Sequence, residues 1–202
     1  MKRVLTLIFS LAVSQAALAG ELQASYRYTS ADADARQEKF LAHTGTGMGS
    51  YLAMNVPFAP VDFIRQQAAA DLEIKLQSRG EAHVTVLTPV EFSQVLAKYV
   101  SIEELNRLAA EQRIQAAFLE PVCLAQAQRG NLRTLFILIR SEDLLRIRRA
   151  IHALYVAKGG APQVFDPERF YPHITVGFVG RDLHEQDGVI KDARLCEAEL
   201  AN

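Results

Sequence analysis

His83-Val84-Thr85-Val86 and His173-Ile174-Thr175-Val176 are nearly the same word written twice, ninety positions apart. Each alternates polar and apolar residues, the period of a β-strand with one face toward a core. The first strand then shows Glu81, His83, Thr85 and Leu87 on one side and Ala82, Val84 and Val86 on the other. The second shows Tyr171, His173, Thr175 and Gly177 opposite Pro172, Ile174, Val176 and Phe178. Helices are expected over the apolar sides, leaving the His/Thr sides for a cleft.

The flanking sequence repeats an order of elements. Tyr51–Val56 reads as a strand stopped by Pro57, and Val61, Ile64, Ala68, Leu72 and Leu76 follow at helical spacing, with Gly80 closing that helix. Ala82–Leu87 is the strand that carries the first word. Thr88-Pro89-Val90-Glu91 and Ser101-Ile102-Glu103-Glu104 are capping boxes that open two more helices. Phe118–Gln128 and Leu132–Arg140 read as strands joined by a Gly130-Asn131 hairpin turn. Ser141 caps a helix bearing Leu144, Ile147, Ile151 and Leu154 that ends at Gly159-Gly160. Phe170–Val179 carries the second word, and Leu195–Leu200 reads as a last edge strand. Strand, long helix and His-x-Thr strand thus occur twice. The fold expected is α+β: two similar lobes related by a pseudo-twofold axis, two antiparallel sheets facing a central cleft, helices outside.

The chain has 202 residues, half of them hydrophobic, and a formal net charge of −1. No global basic field draws long nucleic acids, while a small anionic ligand or a short RNA end remains compatible. Residues 1–19 read as a signal peptide: Lys2 and Arg3, an apolar run, then Ala17-Leu18-Ala19 before Gly20. The expectation is a periplasmic or secreted monomer with no stable membrane anchor once the signal is cleaved. Residues 20–46 are small and polar and read as a loosely structured arm or short helix; 47–202 form the domain, with lobes of about 47–117 and 118–202. Cys123 and Cys196 are the only cysteines. Export would allow a bridge between them, and two small buried hydrophobes are the alternative.

Residue type sets the chemistry. Free imidazole titrates near ~6.5, so of two rings one holds a proton while the other lacks it near neutral pH. One takes a proton from water and the other gives one to a leaving oxygen. Thr85 and Thr175, each two residues along on the same face, donate to phosphoryl oxygens. No carboxylate cluster for divalent ions accompanies them, and no cofactor is expected. Two core histidines are the plain alternative.

The paired words His83-Val-Thr85 and His173-Ile-Thr175 resemble those of the 2H phosphoesterase superfamily, which includes 2′-5′ RNA ligase-like proteins, cyclic phosphodiesterases and a Swiss Army Knife RNA repair-like branch. The resemblance spans roughly Met48 to Val179. It implies His83 and His173 as acid/base pair, Thr85 and Thr175 as phosphate donors, a bilobal cleft, and opening of a 2′,3′-cyclic phosphate or a related phosphodiester of a nucleotide or RNA end. A non-catalytic nucleotide-binding module that keeps the cleft is the rival reading. A structural envelope protein with coincidental motifs is another.

Other residues carry weaker signals. Tyr171 shares the cleft face with His173 and is positioned to stack on a base; Tyr51 and Asn55 share a face of the first strand and are candidate substrate contacts. Arg79, Arg169 and Arg181 flank the motif strands. Arg146, Arg148 and Arg149 read as a solvated helix face, as does His152. His43 lies in the arm and His184 in a polar tail, and neither is assigned a role.

Overall fold

A computed structural model describes residues 20–201. The expected signal peptide, 1–19, lies outside them. In chain order the elements are β1 (Ser25–Arg27), β2 (His43–Thr44), β3 (Ser50–Asn55), α1 (Phe58–Asp71), β4 (His83–Leu87), α2 (Pro89–Glu91), α3 (Ile102–Glu111), β5 (Glu120–Arg129), β6 (Leu132–Arg140), α4 (Glu142–Ala157), β7 (His173–Val179) and β8 (Cys196–Ala201). A π-helical turn, Phe92–Leu96, continues α2.

The helix starts follow from their caps. Thr88 Oγ1 accepts from the Glu91 amide at 3.1 Å while the Glu91 carboxylate accepts from the Thr88 amide at 2.8 Å. Ser101 and Glu104 repeat the exchange at 3.2 and 3.0 Å. Ser141 Oγ accepts from Leu144 N at 3.2 Å. α1 ends earlier than the apolar spacing predicts: Glu73 turns left-handed (φ 53°), so Leu72 and Leu76 enter the core from the segment beyond the helix. At the tip of the β5–β6 hairpin, Gly130 has φ 55°, a conformation that costs a glycine little.

The strands form one sheet in the order β1-β8-β5-β6-β7-β4-β3-β2. This corrects the expectation of two separate sheets. β4 and β7 pair antiparallel at Val84↔Ile174, and that pair joins the two halves. It links the second residue of one motif to the second residue of the other, as a twofold axis between them requires. β3, α1 and β4 lie on one side of the junction; β6, α4 and β7 repeat the order on the other. Val84, Val86, Ile174 and Val176 are buried in the main core, as are Ile64 of α1 and Ile147 of α4. The fold is therefore α+β with a mixed sheet, since β1 runs parallel to β8.

Two readings from sequence are revised here. The arm is not loose. It supplies an edge strand at each end of the sheet, β1 beside β8 and β2 beside β3, and buries Tyr26, Tyr28, Ala33 and Ala35. β8 is consequently not an edge. The second revision is the His/Thr face of β5 and β6, which is not left open. Cys123, Ala125, Ala127, Phe136 and Leu138 pack there against Leu183, with Val189 and Leu195 around them, so the segment after β7 covers that part of the sheet. Thr134 Oγ1 accepts from Leu183 N at 2.9 Å, and a Cys123–Cys196 disulfide ties the end of the segment to β5 with the Cα atoms 5.8 Å apart.

Arg148 departs most from its reading as a solvated side chain. It is 1% exposed. Its guanidinium donates to Val86 O (2.7 Å), Glu91 Oε1 (2.8 Å), Pro167 O (2.9 Å), Arg169 O (3.1 Å) and Asp166 O (3.2 Å), between the rings of Phe165 and Phe170. A planar fork with five N–H donors is tolerated in the interior when all are matched. Through these bonds α4 grips both the end of β4 and the approach to β7.

Candidate active site

The Val84↔Ile174 pair fixes which site residues face one another. Counting outward along antiparallel strands sets His83 against Thr175 and Thr85 against His173. In a regular antiparallel pair such direct neighbours lie about 5 Å apart, and the diagonal pair, His83 and His173, about 7–8 Å. The four side chains share one face because 83, 85, 173 and 175 all point away from the helices; each is half-buried, while the residues between them are buried. A small hollow opens beside His83 and Thr175, lined also by Arg79 and Glu81, with Gly177 in its wall; Thr85 and His173 lie outside its lining. The strand-like run through Gln77 pairs there with Phe178, close enough that a Cβ on Gly177 would sit 3.0 Å from Gln77 O.

The two imidazoles stand in unlike surroundings. His83 Nδ1 is 3.5 Å from the Glu81 carboxylate, which leaves Nε2 as the nitrogen available to a ligand. Burial lowers the His83 pKa below its ordinary value, Glu81 and Asp182 oppose that, and Arg79 and His43 add to it. His173 donates from Nδ1 to Tyr171 O at 2.8 Å, and its Nε2 lies 3.2 Å from Lys191 Nζ. Burial and then the Lys191 ammonium push the His173 pKa down strongly; the Tyr171 carbonyl and Asp182 pull the other way, and His184 adds a little to the lowering.

Thr175 is also engaged. Its hydroxyl donates to Asp182 Oδ2 at 3.2 Å. Asp182 is the hub of this half of the site, with Lys191 Nζ at 2.9 Å, Arg79 Nη2 at 3.3 Å and His184 Nε2 at 3.8 Å. Burial raises its pKa, but the neighbouring Lys191, His184 and His173 outweigh burial and leave it lowered.

Tyr51 stacks on His43 with ring centroids 4.0 Å apart and stands 6.1 Å from the His83 ring. Asn55 turns to the arm instead, donating to Lys39 O at 3.0 Å. Tyr171 lines a second, open groove with Leu138, Asp192 and Ala193, not the hollow beside His83. Arg169 and Arg181 are spent on Glu185 and Asp187.

Sequence reasoning missed His43, Asp182, His184 and Lys191. Glu81 and Arg79 were visible beside the first word, Glu81 on its His face by alternation. No periodic signal marked Asp182 or Lys191, because their place depends on how the irregular segment after β7 folds back.

A family model described as a Swiss Army Knife, 2H phosphoesterase domain matches residues 50–184. Comparison with curated proteins and with solved structures gives no match.

Proposed function

Because the chain belongs to the Swiss Army Knife group of 2H phosphoesterase domains, we propose that it hydrolyses a 2′,3′-cyclic phosphate, or a related phosphodiester of a nucleotide or short RNA end, without a metal. The observation that carries this reading is the crossed pairing about Val84↔Ile174, which turns both His-x-Thr words to one face of the sheet. His173, held neutral beside an ammonium, takes a proton from the attacking water. The water oxygen bonds to phosphorus as the bond to the ribose oxygen breaks. His83, beside the Glu81 carboxylate, gives its proton to that oxygen. Thr85, Thr175 and Arg79 serve the phosphoryl oxygens, and Tyr51 borders the base or sugar.

The protein is assigned to the periplasm or the exterior, as a monomer. The disulfide supports an oxidising compartment.

The test is incubation with 2′,3′-cyclic nucleotides in EDTA, followed by phosphorus NMR. His83→Ala and His173→Ala should each lower turnover about 10²–10⁴-fold, the usual range for one proton-transfer group. A p-nitrophenyl phosphodiester, whose leaving group needs no proton, should largely rescue His83→Ala and not His173→Ala. Full turnover in both variants would refute the reading. One observation favours a capture module instead: Thr175 and His173 are both bonded within the protein. Saturable nucleotide binding with no product from the wild type would decide for it.

A further inference from the structure

Lys191 lies beyond the matched span, on the segment that folds back over β5 and β6. Its ammonium forms a buried ion pair with the Asp182 carboxylate. Its side chain is 4% exposed, it sits 5.5 Å over the Phe136 ring, and a lysine in such a place costs stability unless its charge is used. Its Nζ has two named partners, Asp182 Oδ1 and His173 Nε2.

We propose that Lys191 is a positioning residue for His173: it donates to Nε2, fixes the ring as the Nδ1–H tautomer, and is held in place for this by Asp182. The proposal rests on the phosphoesterase reading for its catalytic consequence and on geometry alone for the tautomer. A ring whose Nδ1–H is given to the Tyr171 carbonyl and whose Nε2 accepts from an ammonium has its lone pair on the nitrogen that a base must use. Nε2 takes a proton from water once the ammonium leaves it, the ammonium staying paired with Asp182. Burial lowers the Lys191 pKa, and Asp182, 2.9 Å away, opposes that lowering and holds the ammonium beside His173. The charged and titratable groups facing His173 are Lys191, Asp182 and His184, with Arg79 behind Asp182.

Nitrogen-15 NMR of the histidine rings in the wild-type protein reads the tautomer directly, with His173 identified by its loss in His173→Asn. The expected result is a neutral Nδ1–H ring that stays unprotonated at pH 6. A neutral Nε2–H ring, or a ring that titrates at the free-imidazole value, overturns the proposal whatever the protein hydrolyses. Lys191→Met then removes the donor. The His173 titration should move up toward the free value, and the acid limb of kcat/KM should move up with it, while Lys191→Arg leaves both near wild type. Lys191→Met with an unchanged His173 titration in a folded protein would equally overturn it. Where Lys191→Met does not fold, the double variant Lys191→Met with Asp182→Asn removes both buried charges, and a smaller upward shift is expected, because Lys191 lowers the His173 pKa by more than Asp182 raises it. Absence of turnover in the wild type would count against the phosphoesterase reading alone, since the ring tautomer is read without substrate.

Discussion

Four of the five histidines gather at the motif face, and burial holds each of them below the ordinary imidazole pKa. The consequence for rate has a definite sign. If His83 must carry a proton in the free enzyme, and its pKa lies below ~6.5, activity is lost as pH rises through a value on the acid side of ~6.5. The kcat/KM profile should peak below that pH, and a peak above pH 7 would contradict the assignment of His83 as acid. Thr85→Val and Thr175→Val should cost less than loss of either histidine, and the Thr175 change should also free one position on Asp182. Arg148→Ala should lower stability by about 3–5 kcal/mol, the usual result of leaving the partners of a buried ion unpaired, measured as the urea midpoint. The histidines and threonines were legible because a period of two exposes a face. Arg148 was not, although it stands one turn beyond Leu144 and three residues before Ile151 on the buried stripe. Its charge argued for solvent, and only the acceptors brought by distant loops make its burial possible.

Among the elements, the segment between β7 and β8 departs furthest from what local pattern suggests. It has two short 3₁₀ turns and no apolar period, yet it covers part of the sheet and delivers Asp182, Lys191 and His184 to the motif face. The strands, the capping boxes and α4 were readable because their signals are local. This segment is held by contacts far apart in sequence, so nothing near it in the chain announces its position. The disulfide pins its end across a separation of 73 residues. Replacing both cysteines with alanine should lower unfolding stability by about 4 kcal/mol on the loop-entropy estimate for a loop of that size. A denaturant curve on the oxidised wild type and the double variant measures it. Thr88→Ala should cost about 1 kcal/mol through loss of the α2 cap, and no more than that if the Glu91–Arg148 pair survives.

At the centre of the molecule two copies of a strand-helix-strand unit join edge to edge, and both the duplication and the motif strands were visible in the sequence. The continuity of the sheet was not, since no pattern within either unit says that Val84 will meet Ile174. Stability should respond to pH as one system. Above ~6.5 the buried histidines are neutral in both the folded and the unfolded chain. As pH falls below that value the unfolded chain takes up protons that the folded one resists, so stability declines. Carboxylates with lowered pKa values, Asp182 among them, extend the loss into the acid range. Thermal melts from pH 8 to pH 4 should show a midpoint that drops from about pH 6.5 downward, and a flat profile to pH 5 would rule this out. The arm brings a different liability under control. By laying one short strand along each margin of the sheet, residues 25–27 and 43–44 occupy the backbone amides and carbonyls that β8 and β3 would otherwise offer. A polypeptide trimmed to 50–184 would keep every motif and lose both shields and β8, uncovering the ten-residue strand β5. Such a fragment is expected to template its own aggregation, visible as light scattering that the longer chain does not produce.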